Sequence, residues 1–152
     1  GIAPEECGAE GCLDVTPQVW YSSYLNGAMV KGLIPKEMIA SYDSSVVDGT
    51  VKYTGAFNGD TPITREEMAF ITMSMYQYIL NANTMKTLAP EQEIEFEDSG
   101  KITPWAVTGV KLAAANGIIK GNDGRFDPTG KTTRAQAAAV ILRVMNKLQA
   151  EG

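Results

Sequence analysis

The stretch Thr132-Thr133-Arg134-Ala135-Gln136 decides the reading of this chain, because Ile63-Thr64-Arg65-Glu66-Glu67 is an earlier copy of it. Each copy sets a Thr directly before an Arg and an acidic or amide side chain three positions after that Thr. This is the capping-box pattern. The Thr hydroxyl accepts from the orphan N–H of the third helical residue, and Glu67 or Gln136 reaches back to the N–H of the cap. An apolar run with helical spacing follows each copy: Met68, Ile71, Met75, Ile79 after the first, and Ala137, Val140, Ile141, Val144, Met145, Leu148 after the second. The pattern predicts two helices that begin at Arg65 and Arg134. Each arginine then stands beside a helix N-terminus, whose free N–H groups and partial positive charge suit an anion.

The same landmarks recur upstream of both boxes. Gly55-Ala56-Phe57 and Gly124-Arg125-Phe126 stand at equal distances before Arg65 and Arg134. Further upstream, Trp20 to Gly32 and Trp105 to Gly117 have one spacing of twelve. Thr16-Pro17 and Thr103-Pro104 read as an N-cap followed by a first-turn proline, and the glycines as helix stops. The two intervening helices carry Val19, Trp20, Tyr24, Ala28 and Val30, and Trp105, Gly109, Leu112 and Ala113, on their apolar faces. Leu33-Ile34 and Ile118-Ile119 follow. The chain therefore divides into two helix–loop–helix repeats, residues 13–83 and 96–149, joined by a connector over 84–95 and preceded by a loose tail over 1–12. Repeats of this kind bury their apolar faces on one another.

The first repeat has sixteen more residues between its apolar pair and Gly-x-Phe, an insertion over 35–54. Val46-Val47-Asp48-Gly49-Thr50-Val51 within it predicts a β-hairpin, since Asp-Gly between β-branched residues suits a two-residue turn. Pro35 to Ile39 reads as a short helical turn. The expected fold is mainly α, with that small hairpin inserted.

Totals narrow the function. The 152 residues carry a formal net charge of −5, against a nucleic-acid or anionic-membrane partner. No apolar run approaches the ~20 residues that span a bilayer, and no signal-peptide core is visible. There is no histidine, the commonest general base and zinc ligand. Cys7 and Cys12 form either a local disulfide in an exported protein or two free thiols in the tail. Asn122-Asp123-Gly124 is not a calcium loop: alternate positions fall on Gly124 and Phe126, which offer no side-chain oxygen. No nucleophile–base pair, phosphate loop or metal cluster is present, so no enzyme and no cofactor is expected.

The order Phe96-x-Asp98, Trp105-Ala106, Gly117-Ile118-Ile119-x-Gly121, Asp123-Gly124-x-Phe126-x-Pro128, Thr133-Arg134 resembles the S-layer homology repeat along nearly all of 96–149. The first repeat is looser. Cys12-Leu13-Asp14 replaces Phe-x-Asp, while Trp20, Gly32, Phe57, Thr64, Arg65 and Glu66 are kept. The resemblance implies a bacterial, extracellular, surface-anchoring module whose repeats pack pseudosymmetrically around a helical bundle. It implies a partner in acidic, often pyruvylated, secondary cell-wall polysaccharide. Three repeats are usual in the family. With two, either self-association into a homo-oligomer or a third repeat outside this stretch is expected to complete the core.

The expected glycan-binding residues are Arg134, Arg65, Gly124, Asp123, Gly55, Trp105 and Trp20. A guanidinium grips a carboxylate or phosphate in bidentate fashion, as a lysine does not. Gly124 lets a backbone approach a sugar closely. The plainer alternatives are an arginine in a structural ion pair, tryptophans packed in the core, and Gly-x-Phe as a turn plus core anchor. The rival function is a protein-interaction or self-assembly module of the same fold with the glycan site lost.

Overall fold

The computed structural model describes residues 14–15, 18–47, 50–84 and 96–151. The tail with Cys7 and Cys12, the Thr16-Pro17 cap, the Asp48-Gly49 turn and connector residues 85–95 lie outside the described residues. The chain separates into two compact units, Gly1–Thr61 and Pro62–Gly152. The described residues contain four α-helices and one two-stranded antiparallel sheet.

In the first unit, α1 spans Ser22–Val30, a 3₁₀ turn spans Lys36–Met38, and β1 (Ala40–Val47) pairs with β2 (Thr50–Ala56). The register sets Val46 against Val51 and Val47 against Thr50, so the strands meet around the expected Asp-Gly position. An irregularity between Ala40 and Asp43, with Ser41 at φ 55°, bends β1. Val15, Leu25 and Ile39 form the buried centre, with Tyr21, Met29, Ile34, Tyr42 and Phe57 packed around it. The apolar face expected of α1 is reversed. Trp20, Tyr24 and Val30 are exposed, at 81%, 60% and 65%, and Leu25 turns inward. The helical repeat of the sequence set the stripe, but the docking of Leu25 onto Val15 and Ile39 chose the buried side.

In the second unit, α2 (Arg65–Thr84) packs against both α3 (Val107–Ala115) and α4 (Arg134–Glu151). Thus the last helix of the expected first repeat shares a core with the second. Because α2 has neighbours on two sides, its buried line is Ala69, Met73, Tyr76 and Leu80, while Met68 and Met75 flank it partly buried. Ile102, Ala106, Val110, Ala113, Ile118, Ile119, Phe126, Val140 and Val144 complete the core. A fully buried side chain such as Met73 or Ile118 contributes about 1.5–3 kcal/mol by leaving water. The crossing of α3 over α2 depends on Gly109, where a Cβ would come within 2.7 Å of the Phe70 Cα.

Both expected capping boxes form. Thr64 N–H donates to Glu67 Oε2 at 2.7 Å and Glu67 N–H to Thr64 Oγ1 at 3.3 Å. At α4 the pairs are Thr133 N–H to Gln136 Oε1 at 2.9 Å and Gln136 N–H to Thr133 Oγ1 at 3.2 Å. The glycine stops also match. Gly32 and Gly117 take φ 66° and 65°, and the N–H groups of Leu33 and Ile118 reach back to Ala28 and Ala113. Only glycine takes this left-handed corner without steric cost.

The Thr103-Pro104 cap does not form. Helix α3 begins at Val107, after a turn in which Ala106 N–H donates to the Thr103 carbonyl. The Thr103 hydroxyl is buried without a partner among the described residues, and its N–H goes to buried Glu66 Oε2 at 3.0 Å. A tertiary carboxylate has claimed the residue that local pattern assigned to the helix.

Candidate functional site

The loop between α3 and α4 is shaped by short-range chemistry. Asn122-Asp123-Gly124-Arg125 closes a two-residue hairpin, with Asn122 and Arg125 exchanging backbone bonds of 2.8 and 2.9 Å. Asp123 and Gly124 have φ 48° and 75°, the paired positive values of a type I′ turn. Behind it, the Asp98 carboxylate accepts from the N–H groups of Phe126 and Asp127, both at 2.8 Å. Burial alone would push the Asp98 carboxyl up. The N–H groups of Phe126, Asp127 and Asp98 itself, with the charge of Lys101, bring it below the ordinary carboxylate value. The first unit contains the same device. Asp14 accepts from the N–H groups of Phe57 and Asn58 at 2.8 and 2.6 Å, and it too titrates low against the upward push of burial. Asn58 and Asp127 share positive φ values of 54° and 58°.

The start of α2 holds this loop from the other side. Arg65 Nε donates to the Phe126 carbonyl at 2.7 Å and Nη2 to the Lys120 carbonyl at 3.2 Å. Its guanidinium lies over the Phe126 ring, 5.3 Å from the centroid. The backbone N–H groups of Arg65 and Glu66 donate to the carbonyls of Gly130 and Pro128. The expectation of a free, anion-ready N-terminus therefore fails at α2. Thr64 and the loop carbonyls satisfy its donors, because the loop packs across the helix end.

An open groove of about 770 Å³ lies along this loop. Six cations line it, Arg65, Lys101, Lys120, Arg125, Lys131 and Arg143, with three carboxylates, Asp98, Asp123 and Asp127. Some of the cations are engaged. Arg125 pairs with Glu97 at 3.0 Å, and Arg143 donates to the Ile118 carbonyl at 2.9 Å. Lys120 and Lys131 are exposed and have no side-chain partner among the described residues. An ammonium without an ion-pair partner, in a groove where cations outnumber carboxylates, attracts an anionic ligand.

Of the sequence-derived candidates, the structure brings Arg65 and Asp123 to this groove. Gly124 shapes the adjoining turn, on the side of Glu97. Arg134 is exposed and lies outside the groove lining. Trp105 is half-buried and packs edge-on to Phe70 at 5.4 Å. Gly55 and Trp20 belong to the first unit. Gly55 is buried against Ile39, and Trp20 is exposed, touching Tyr21 edge-on at 5.5 Å. The lysines and Arg143 were not singled out from sequence, since they fall in no motif. For Lys120, Lys131 and Arg143 the one available signal is the density of basic residues between 120 and 143, and Lys101 stands apart from it.

The family model of the S-layer homology domain matches residues 95–138, which include α3, the loop and the first turn of α4. The match places an S-layer homology domain within residues 95–138, under a third of the chain. An endoglucanase from Bacillus sp. (strain KSM-635) is 35% identical over 114 residues, covering 74% of this chain and 12% of that enzyme. Cell surface glycoprotein 1 of Acetivibrio thermocellus is 31% identical over 98 residues, 64% of this chain and 4% of the relative. The surface-layer 125 kDa protein of Lysinibacillus sphaericus is 33% identical over 60 residues, 37% of this chain and 5% of the relative. The chain thus aligns to a small part of each of these relatives. Among the described residues, no helix is long and apolar enough to cross a membrane.

Proposed function

We propose that this chain is a non-catalytic anchoring module that holds a protein at the bacterial cell surface by binding an acidic cell-wall polysaccharide through the loop groove. The observation that carries the reading is the gathering of six basic side chains on one groove, Lys120 and Lys131 without a side-chain partner among the described residues, in a chain whose net charge is −5. An acidic sugar substituent, a pyruvyl ketal carboxylate for instance, would exchange water for charge-assisted bonds from these ammonium groups. Small shares of an endoglucanase and of two surface proteins align to it. That distribution supports a portable anchor rather than a catalytic part.

The test is co-sedimentation of the chain with purified secondary cell-wall polysaccharide, before and after removal of its acidic substituents. Binding that depends on those substituents and weakens as salt rises is expected. Equal sedimentation with the stripped polymer, or none with either, would sink the reading.

A further inference from the structure

Asparagine is followed by glycine three times, at Asn26-Gly27, Asn58-Gly59 and Asn116-Gly117. Asparagine is thermolabile. A following glycine is its most reactive setting, because a residue without a side chain leaves its nitrogen open to the carboxamide carbon. The fold treats the three pairs differently. Asn26 and Gly27 lie inside α1, with Gly27 buried, and an interior helical N–H is held by the carbonyl four residues back. Gly117 N–H donates to the Ala114 carbonyl at 2.9 Å. The Asn116 carboxamide is buried and held at both ends: Nδ2 donates to the Leu112 carbonyl at 2.9 Å, and Oδ1 accepts from Lys147 Nζ at 3.3 Å.

Asn58-Gly59 has none of these restraints. Both residues are exposed, and among the described residues neither the Asn58 carboxamide nor the Gly59 N–H has a hydrogen-bond partner. The backbone is fastened just before the pair, where Asp14 accepts from the N–H groups of Phe57 and Asn58. Beyond that bracket a single bond, Thr61 N–H to the Asn58 carbonyl at 2.8 Å, resists turning of the peptide plane between Asn58 and Gly59. Packing and backbone conformation keep the pair in place. A Cβ at position 59 would collide with the Tyr21 ring, so the loop seats on Tyr21 only through a glycine. Asn58 stands at φ 54°, a left-handed corner that asparagine tolerates.

We infer that Asn58 is a site of spontaneous deamidation and isoaspartate formation in the folded chain. The Gly59 nitrogen loses its proton to hydroxide and attacks the Asn58 Cγ. The N–Cγ bond forms, the Cγ–Nδ2 bond breaks, and Nδ2 leaves as ammonia with a proton from water. Water then opens the resulting cyclic imide at either carbonyl. One opening leaves aspartate at position 58. The other leaves isoaspartate, whose main chain runs through the side-chain carbons and is longer by a methylene. Either product sets a new carboxylate close to Asp14, and like charges at short range repel. The loop after Phe57 thus changes charge and backbone path with age, without an enzyme and without reference to glycan binding.

Ageing the whole chain in its folded state at mildly alkaline pH tests it, read by peptide mass spectrometry and by labelling with an isoaspartyl methyltransferase. The Asn58 peptide should exchange its amide for an acid about tenfold faster than the Asn26 and Asn116 peptides, since those pairs react only after local opening. In concentrated urea the three pairs should react at similar rates, because the fold alone separates them. Asn58→Gly suits the positive φ and carries no carboxamide, so this variant should lose most of the methyltransferase labelling while keeping the melting temperature of the unaltered chain. An Asn58 that stays intact in the folded chain while urea-treated chain reacts overturns the inference. Equal conversion of the three pairs in the folded chain does so too, as does labelling undiminished in aged Asn58→Gly.

Discussion

Arg65 Nε donates to the carbonyl of Phe126 at 2.7 Å, while its guanidinium rests over the ring of the same residue. A helix start is thus fastened to a loop 61 positions further along the chain. Arg65 serves neither a carboxylate nor an open anion hole in this bond, but a backbone carbonyl. Replacing it should loosen the loop that forms the groove. Arg65→Ala is expected to cost on the order of 2 kcal/mol, as a charged donor bond contributes about 1.5–3 kcal/mol. Arg65→Lys should recover part of this, because one ammonium cannot reproduce a fork that meets both the Phe126 and Lys120 carbonyls. Urea denaturation reads the change, and an unaltered midpoint for Arg65→Ala would remove the clamp from the account.

The helix caps supply a second expectation. Thr64→Ala and Thr133→Ala each remove a hydroxyl that accepts from the third helical N–H. Each should lower stability by about 1 kcal/mol. Thr133 is exposed and Thr64 half-buried, so the Thr64 change is expected to be the larger. Thermal melts of the two variants decide it; no loss in either would mean that the caps are formed but idle.

Acid should weaken both loop brackets. Asp14 and Asp98 have folded-state values below the ordinary 3.8, through their bonds to backbone N–H groups working against burial. Between the lowered and the ordinary value the unfolded chain binds more protons, so stability falls as pH falls. The contribution is complete above about pH 5 and disappears as pH drops through the folded values. Asp98→Asn should flatten this part of the stability–pH curve. A variant that kept the full acid slope would assign it to other carboxylates.

The groove is tested by its free lysines. Lys120→Ala/Lys131→Ala should weaken binding to acidic cell-wall polysaccharide by about 1.5–3 kcal/mol for each charge-assisted bond removed, and should reduce its salt dependence. Both side chains are exposed, so the melting temperature should hold. Arg134→Ala is the comparison, since that arginine lies outside the groove lining. Equal weakening by Arg134→Ala would move the binding surface to the start of α4.

What the sequence determined by itself was local. Capping boxes at Thr64 and Thr133, helix stops at Gly32 and Gly117, and strands pairing Val46 with Val51 all follow from residues within a few positions of one another. The energies that set them, a side-chain bond to a nearby N–H or a left-handed corner, scarcely depend on the rest of the chain. The sequence also marked Arg65 as special, though not its partners. Tertiary structure decided which side of each helix is covered. It turned Leu25 inward and Trp20 outward, and divided one apolar run in α4 into buried Val140 and Val144 and exposed Ile141 and Met145. It drew Thr103 away from its cap toward Glu66, and brought Lys101, Lys120 and Lys131 onto one groove. Such choices come from burial and long-range pairing, where a residue's energy depends on what docks against it, and periodicity states only which residues share a face.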